Sequence, residues 1–193
     1  MTEFNERLCA AFPDKRIVPG DGRSSAPVVL VGEAPGENEE KQLKPFVGKA
    51  GAMLDEFLAL SGIERTELYI TNAVKFRPTA VGKSGRPINR KPTAAEITAF
   101  RPWLMEELAL IKPVCVVTLG NVPLSVFTGS GTPIGSVHGN LLNCEGFTVY
   151  PMYHPASVIY NRALREVYVA DVQKLGGLVN ECLRSARLFR CGG

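Results

Sequence analysis

Four short stretches of this chain are rich in apolar and strand-forming residues: 27–31, 67–74, 113–119 and 147–153. Their Val-, Leu- and Ile-rich runs predict buried strands, the first and third covered on both faces. Leu141-Leu142 adds a shorter strand-like pair. Between the runs the pattern changes period. Residues 49–61 place Met53, Leu54, Phe57, Leu58 and Leu60 along one broad face, and Ser61-Gly62 stops the helix this predicts. Residues 93–111 do the same with Ile97, Phe100, Trp103, Leu104, Leu108 and Ile111, opened by Thr93 with Glu96 at the capping-box spacing. A short helix is expected to end near Phe127 and a last one to cover 164–184. Residues 2–12 predict another short helix, with Phe4, Leu8 and Phe12 four residues apart. The order β-α-β-α-β-α-β-α predicts an α/β protein. The expected architecture is a three-layer α/β/α sandwich with a central, mainly parallel four-stranded sheet and right-handed crossovers. It makes a single domain over 1–193, with 1–26 as an amino-terminal helix and linker and 185–193 as a frayed tail.

Function in such a sheet sits on the loops that leave the strand tips. The first strand runs into residues 32–51, which read G-E-A-P-G-E-N-E-E-K-Q-L-K-P-F-V-G-K-A-G and carry Glu33, Glu37, Glu39, Glu40 and Phe46 among their glycines. The second strand ends on Thr71-Asn72. The fourth runs into Y-H-P-A-S-V, with His154. Residues 75–92 form a long loop with Lys75, Arg77, Lys83, Arg86, Arg90 and Lys91 and no acidic residue. A glycine-rich loop over 129–140 contains His138.

Composition narrows the picture only a little. The chain has 45% hydrophobic and 21% charged residues and a net charge of +3. That is ordinary for a globular protein, and it permits nucleic-acid binding without demanding it. No apolar run approaches the roughly 18–20 residues that span a bilayer. The first residues lack a basic, then apolar leader, so a cytoplasmic location and no membrane partner are expected. The five cysteines are scattered, with no C-x-x-C pair. Spacing alone therefore indicates neither a disulfide framework nor a zinc site.

The blocks G-E-A-P-G (32–36), P-F-V-G-K-A-G (45–51), T-N-A-V-K-F-R-P (71–78) and M-Y-H-P-A-S (152–157) together resemble the uracil-DNA glycosylase superfamily, its family 4 branch most closely. The resemblance runs from about residue 27 to 180. It implies hydrolysis of the N-glycosidic bond of a base flipped out of DNA. It carries the catalytic roles onto Glu33, as the carboxylate that positions water and opposes the developing positive charge, and His154, as donor to the leaving base. The base-binding residues become Phe46, which stacks, Asn72, whose amide can pair with O4 and N3–H of uracil, and Gly32 and Ala34 beside them. By itself Asn72 reads as a strand-end turn former, and Glu39 is a weaker rival for the role of Glu33. Glu37 and Glu40 are expected to be solvated.

DNA-backbone contacts are expected from Lys75, Arg77, Arg86 and Arg90 in the basic loop, and from Ser157 and Arg162 after the histidine, with the backbone N–H groups and hydroxyl of the turn started by Pro155-Ala156-Ser157 offered to a phosphate. Val158, Ile159 and Tyr160 are candidates for a wedge in the base stack. His138 reads equally as a phosphate contact or as a structural histidine. No lysine is placed as a Schiff-base nucleophile, so a monofunctional enzyme acting as a monomer on DNA with uracil or another deaminated base is expected.

The family 4 resemblance also implies a [4Fe–4S] cluster, which needs four thiolates. Here Cys9 is followed at the C-x-x-C spacing by Phe12, and the third and fourth ligand positions fall on Phe76 and Phe100. No cofactor and no metal are therefore expected, and the phenylalanines should fill the space as an apolar plug. A related branch that crosslinks to DNA has a histidine where this chain has Asn89, so covalent trapping is not expected. Alternatives are a glycosylase for hypoxanthine or xanthine, an inactive DNA-binding homologue, and a nucleoside hydrolase.

Overall fold

The computed structural model describes residues 1–190, with the backbone alone from residue 182 onward. In chain order the strands are β1 (Asp21–Gly22), β2 (Val28–Gly32), β3 (Tyr69–Asn72), β4 (Thr79–Val81), β5 (Pro87–Asn89), β6 (Cys115–Leu119), β7 (Leu142–Cys144) and β8 (Phe147–Met152). The helices are α1 (Thr2–Ala11), α2 (Glu37–Gln42), α3 (Lys49–Leu60), α4 (Ala94–Ile111), α5 (Asn121–Thr128), α6 (Ile134–Val137), α7 (Pro155–Tyr160) and α8 (Leu164–Arg190).

The main sheet has the order β1-β3-β2-β6-β8-β7. The inner four strands are parallel, as the apolar runs predict. Two short antiparallel strands, β1 and β7, extend the edges to six strands. The Leu141-Leu142 pair signals β7, which begins at Leu142, whereas β1, the dipeptide Asp21-Gly22, is too short and too polar to announce itself.

The core explains the unbroken apolar runs. Val28 and Leu30 of β2 belong to one cluster with Leu54, Phe57 and Leu58 of α3 and Tyr168, Val172 and Leu175 of α8. Their neighbours Val29 and Val31 belong to the opposite cluster with Leu104, Leu108 and Ile111 of α4 and Val126 and Phe127 of α5. Each inner strand is buried on both faces because successive residues point to opposite helical layers.

The chain moves outward from β2 to β3 and then returns past β2 to β6, so the switch point lies between β2 and β6. Gly32 pairs with Asn72 across β2 and β3, and Leu119 pairs with Met152 across β6 and β8. The carboxyl ends of these strands are therefore level, and the loops leaving them share one edge.

Several local expectations change. The acidic loop contains α2, closed at Leu43 in the left-handed conformation. The basic loop is a hairpin of β4 and β5. The expected second strand begins later, after a 3-10 turn at Arg65–Glu67. The 13–26 linker is pinned: Ile17 and Val18 are buried, and Val18 N–H donates to the Lys75 carbonyl. The last helix is assigned to Arg190, and 191–193 of the expected tail lie outside the described residues. Thr93 caps α4 as its sequence predicts, its hydroxyl accepting from Glu96 N–H.

Candidate active site

The β2 tip meets the β3 tip through a missing side chain. A Cβ on Gly32 would lie 2.4 Å from Asn72 Oδ1 and 2.6 Å from the Phe46 ring. Glycine is the residue that lets the amide and the ring close over the strand end. The Asn72 and Gly32 backbones are tied as well, since Ala73 N–H donates to Gly32 O at 2.8 Å and Val74 N–H to Glu33 O at 3.1 Å.

Phe46 is buried and has φ of 53°, the left-handed region that costs a bulky residue roughly 1–2 kcal/mol. Two contacts hold it there. Glu39 accepts from Val47 N–H at 3.0 Å and Gly48 N–H at 2.7 Å with one oxygen, and from Gly36 N–H at 3.1 Å with the other. Beneath, Gly51 of α3 approaches so closely that a Cβ would lie 2.0 Å from the Phe46 carbonyl oxygen. Glu39 is thus a brace for the loop; its oxygens are committed to backbone donors.

His154 caps α7. Pro155 at the first helical position needs no donor partner, and His154 Nδ1 accepts from Ala156 N–H at 3.2 Å. Burial pushes the histidine below its ordinary pKa. A neutral ring that accepts at Nδ1 carries its proton on Nε2. The ring sits 6.0 Å from the Phe46 ring, centroid to centroid.

Phe46, Asn72 and His154, with Ala34, Asn89, Ile159 and Tyr160, line one cleft of about 620 Å³. Glu33, Ala34, Asn89, Arg90 and His154 line an adjoining hollow of about 210 Å³. Glu33 is half-buried; desolvation raises its pKa above the usual carboxylate value, and the Lys91 charge opposes the rise. The Asn72 amide and the Glu33 carboxylate make no side-chain hydrogen bond among the described residues. Both are available to a ligand.

The structure thus brings the expected Gly32, Glu33, Ala34, Phe46, Asn72 and His154 together. It corrects other expectations. Lys75 is fully buried, its ammonium bonded to Glu107 and Thr71, and cannot reach a DNA backbone. Arg77 is also enclosed: Nε donates to Asn89 Oδ1 at 2.7 Å, and its two Nη atoms meet Glu40 and Glu37 at 3.3 and 3.5 Å. Glu37 and Glu40 are therefore paired as well as partly solvated. Arg90 is spent on a two-pronged pair with Glu96, at 2.7 and 2.6 Å, which ties the hairpin to α4.

Arg86 is exposed, as are Lys83 and Lys91, and none of the three forms an ion pair among the described residues. Arg162 is exposed just beyond α7, and Ser157 lies half-buried in its first turn. The amides of Ala156 and Ser157 already donate to His154, so they do not hold a phosphate. Val158 is core, whereas Ile159 and Tyr160 are 44% and 88% exposed at the cleft mouth. His138 is held at Nδ1 by Asp171, at 2.7 Å.

Asn89 was not expected at the site except as a position lacking a nucleophile. It borders both hollows, and Arg77 holds its oxygen so that the amide nitrogen faces Gly36. The signal was there in the sequence as Arg77 twelve residues upstream, but nothing in the pattern shows that a hairpin folds the two together.

Away from the cleft, Phe12 stacks on Phe100 at 4.2 Å and 17°, Phe76 lies 5.6 Å from Phe100, and Trp103 and Phe4 close the group. These rings join α1 to α4 as one cluster with Leu8, Ile17 and Val74. Cys9 beside them is exposed, while Cys115 and Cys144 belong to the sheet. A four-thiolate cluster does not fit this donor set.

A level row of strand tips, a buried aromatic, a free amide and a neutral histidine around one slot define an α/β protein built to hold a planar, hydrogen-bonding ring. Comparison with known proteins identifies which. The family model described as the uracil DNA glycosylase superfamily matches residues 19–175. The chain belongs to that superfamily. It is 38% identical to the type-4 uracil-DNA glycosylase of Thermotoga maritima, over 94% of this chain and 95% of that one. It is 39% identical to the type-4 uracil-DNA glycosylase of Archaeoglobus fulgidus, over 83% and 81%. Similarity extends to the type-5 uracil-DNA glycosylase of Pyrobaculum aerophilum, at 33% over 76% and 68%.

Proposed function

We propose that this protein excises uracil from DNA by hydrolysing the N-glycosidic bond, in the service of base excision repair. The observation that carries the reading is the convergence of Gly32, Phe46, Asn72 and His154 on one cleft, with the Glu33 carboxylate alongside. A flipped uracil stacks on Phe46, and the Asn72 amide accepts from N3–H and donates to O4. As the bond from C1′ to N1 breaks, the electron pair goes to the base, and His154 Nε2–H stabilises the charge that builds on O2. The ionised Glu33 opposes the positive charge on the sugar and orients the water that adds to C1′. The products are free uracil and an abasic site, with the strand left unbroken.

The DNA backbone is met by Arg86, Lys83, Lys91, Ser157 and Arg162 around the cleft. The protein acts as a monomer and without an iron–sulfur cluster, its Phe12–Phe76–Phe100 group holding α1 to α4. Hypoxanthine shares the N–H and C=O pattern of uracil on the edge that Asn72 reads, so it is the competitor to measure. The test is release of free base from single- and double-stranded oligonucleotides carrying uracil, hypoxanthine or xanthine. Release of uracil, lost in Glu33→Gln with DNA binding retained, is expected. Binding without release of any base would overturn the enzymatic reading in favour of an inactive homologue.

A further inference from the structure

Asn72 ends a strand whose other face carries a closed polar network. Side chains alternate along β3. Ile70 and Asn72 face α3 and the cleft, and Tyr69 and Thr71 face α4. There the Glu107 carboxylate, fully buried, accepts from Tyr69 O–H at 2.9 Å and from Thr71 O–H at 3.1 Å. The Lys75 ammonium, also fully buried, bonds both Glu107 and Thr71. Burial raises the Tyr69 pKa, with Glu107 adding to it, so the phenol stays a donor. One carboxylate thus gathers three donors from a seven-residue segment, 69–75, and that segment contains Asn72 at its centre.

A charge pair sealed from water is a poor way to stabilise a fold, because desolvation offsets most of the attraction and apolar residues of similar volume do as well. What such a network does supply is direction. Each bond fixes the rotation of β3 and the turn after it at one more point. The turn is fixed from the other side too, by Ala73 N–H on Gly32 O, Val74 N–H on Glu33 O, and Val18 N–H on Lys75 O. We infer that Lys75, Glu107, Thr71 and Tyr69 are positioning residues: they set the depth and rotation of the Asn72 amide, and thereby both the rate of base release and the choice of base. This rests on the proposed function. None of the four touches the cleft.

The experiment compares the full chain with Thr71→Val, with Lys75→Met/Glu107→Leu, which replaces the ion pair by hydrocarbon and leaves the Tyr69 and Thr71 hydroxyls without their carboxylate partner, and with Lys75→Met/Glu107→Gln, which removes the charges but keeps a partner for Tyr69 and Thr71. Thermal melting reports folding, single-turnover release reports chemistry, and binding to a uracil-containing duplex reports affinity. In Thr71→Val and Met/Leu, release is expected to slow at least 10-fold, the preference for uracil over hypoxanthine to narrow, and Kd to stay within about 2-fold. The Met/Gln variant should regain most of the rate.

Hydrogen exchange at the Ala73 and Val74 amides should quicken in the first two variants and recover in the third. Wild-type rate and selectivity in a folded Met/Leu protein, or a loss matched by the unfolded fraction in Thr71→Val, would overturn the inference. If the unmodified protein releases no base, the proposed function fails first, and the exchange readout still tells whether the network holds the tip.

Discussion

Phe46 and His154 stand ring to ring at 6.0 Å with 31° between their planes. They do not stack on each other. They form adjoining walls of the cleft, so that, on the proposed function, a base lying on the Phe46 face would bring its edge toward the imidazole. On the proposed function the two rings do different work, area from one and an N–H hydrogen-bond donor from the other.

Replacing Phe46 with Ala removes the stacking wall. Base–aromatic stacking is worth about 1–3 kcal/mol, so kcat/KM for uracil release should fall by roughly 10- to 100-fold. Phe46→Tyr should retain most activity. Steady-state kinetics on a single-stranded substrate give the comparison.

Gly32→Ala should be more damaging than its size implies. The added methyl would collide with Asn72 Oδ1 at 2.4 Å and with the Phe46 ring. Both groups proposed to contact the base are displaced at once. At least a 100-fold loss of turnover is expected with the protein still folded by circular dichroism, whereas the alanine at solvent-facing Gly177, with open space around it, should change little.

The acid side of the pH–rate profile should report Glu33. Its pKa is raised by burial, and the Lys91 charge holds it back. On the proposed mechanism the ionised form is the active one, so activity is expected to fall as pH drops through the raised value. Removing the positive charge in Lys91→Met raises the pKa further and should move this limb to higher pH. An unchanged limb would disconnect the two residues.

The same shift predicts stability. A carboxyl whose folded pKa lies above its unfolded value contributes stability below the unfolded pKa, and that contribution is lost as pH rises through the folded one. At pH 7 Glu33 is therefore a burden on the fold, and Glu33→Gln should melt higher than the unmodified protein there, with the gap closing toward pH 4. Melting curves across that range decide it.

The aromatic cluster should behave as core. Phe100→Ala is expected to cost about 3–5 kcal/mol, read by urea denaturation, and to loosen α1 from α4. The purified protein should contain no stoichiometric iron by metal analysis.

Much of this was legible beforehand, for identifiable reasons. The four parallel strands declare themselves because burial on both faces favours apolar and strand-forming residues and admits only a few partnered or site polar ones such as Thr71 and Asn72, and Thr93 with Glu96 declares the start of α4 because the cap needs those side chains. Gly32, Glu33, Asn72 and His154 lie next to those strand ends, so placing the strands placed them. What the sequence hides are partnerships across distance. Lys75 and Arg77 look like any cations of a basic loop; only the fold shows that Glu107, 32 residues away, and Glu37 and Glu40 have claimed them. Val158, Ile159 and Tyr160 are alike in hydropathy, and only the seating of α7 sends the first inward and leaves the other two at the rim.

On the proposed function, the pairing of Gly32 with Asn72 across β2 and β3 makes discrimination between bases a matter of phase. Side chains alternate at every step, so a slip of a single residue in either strand would turn the amide away from the ring and toward α4. The count of residues in these two strands is therefore fixed by the geometry of the strand tips. Insertions and deletions there would erase the molecule's chemical vocabulary while leaving a sheet that still looks intact.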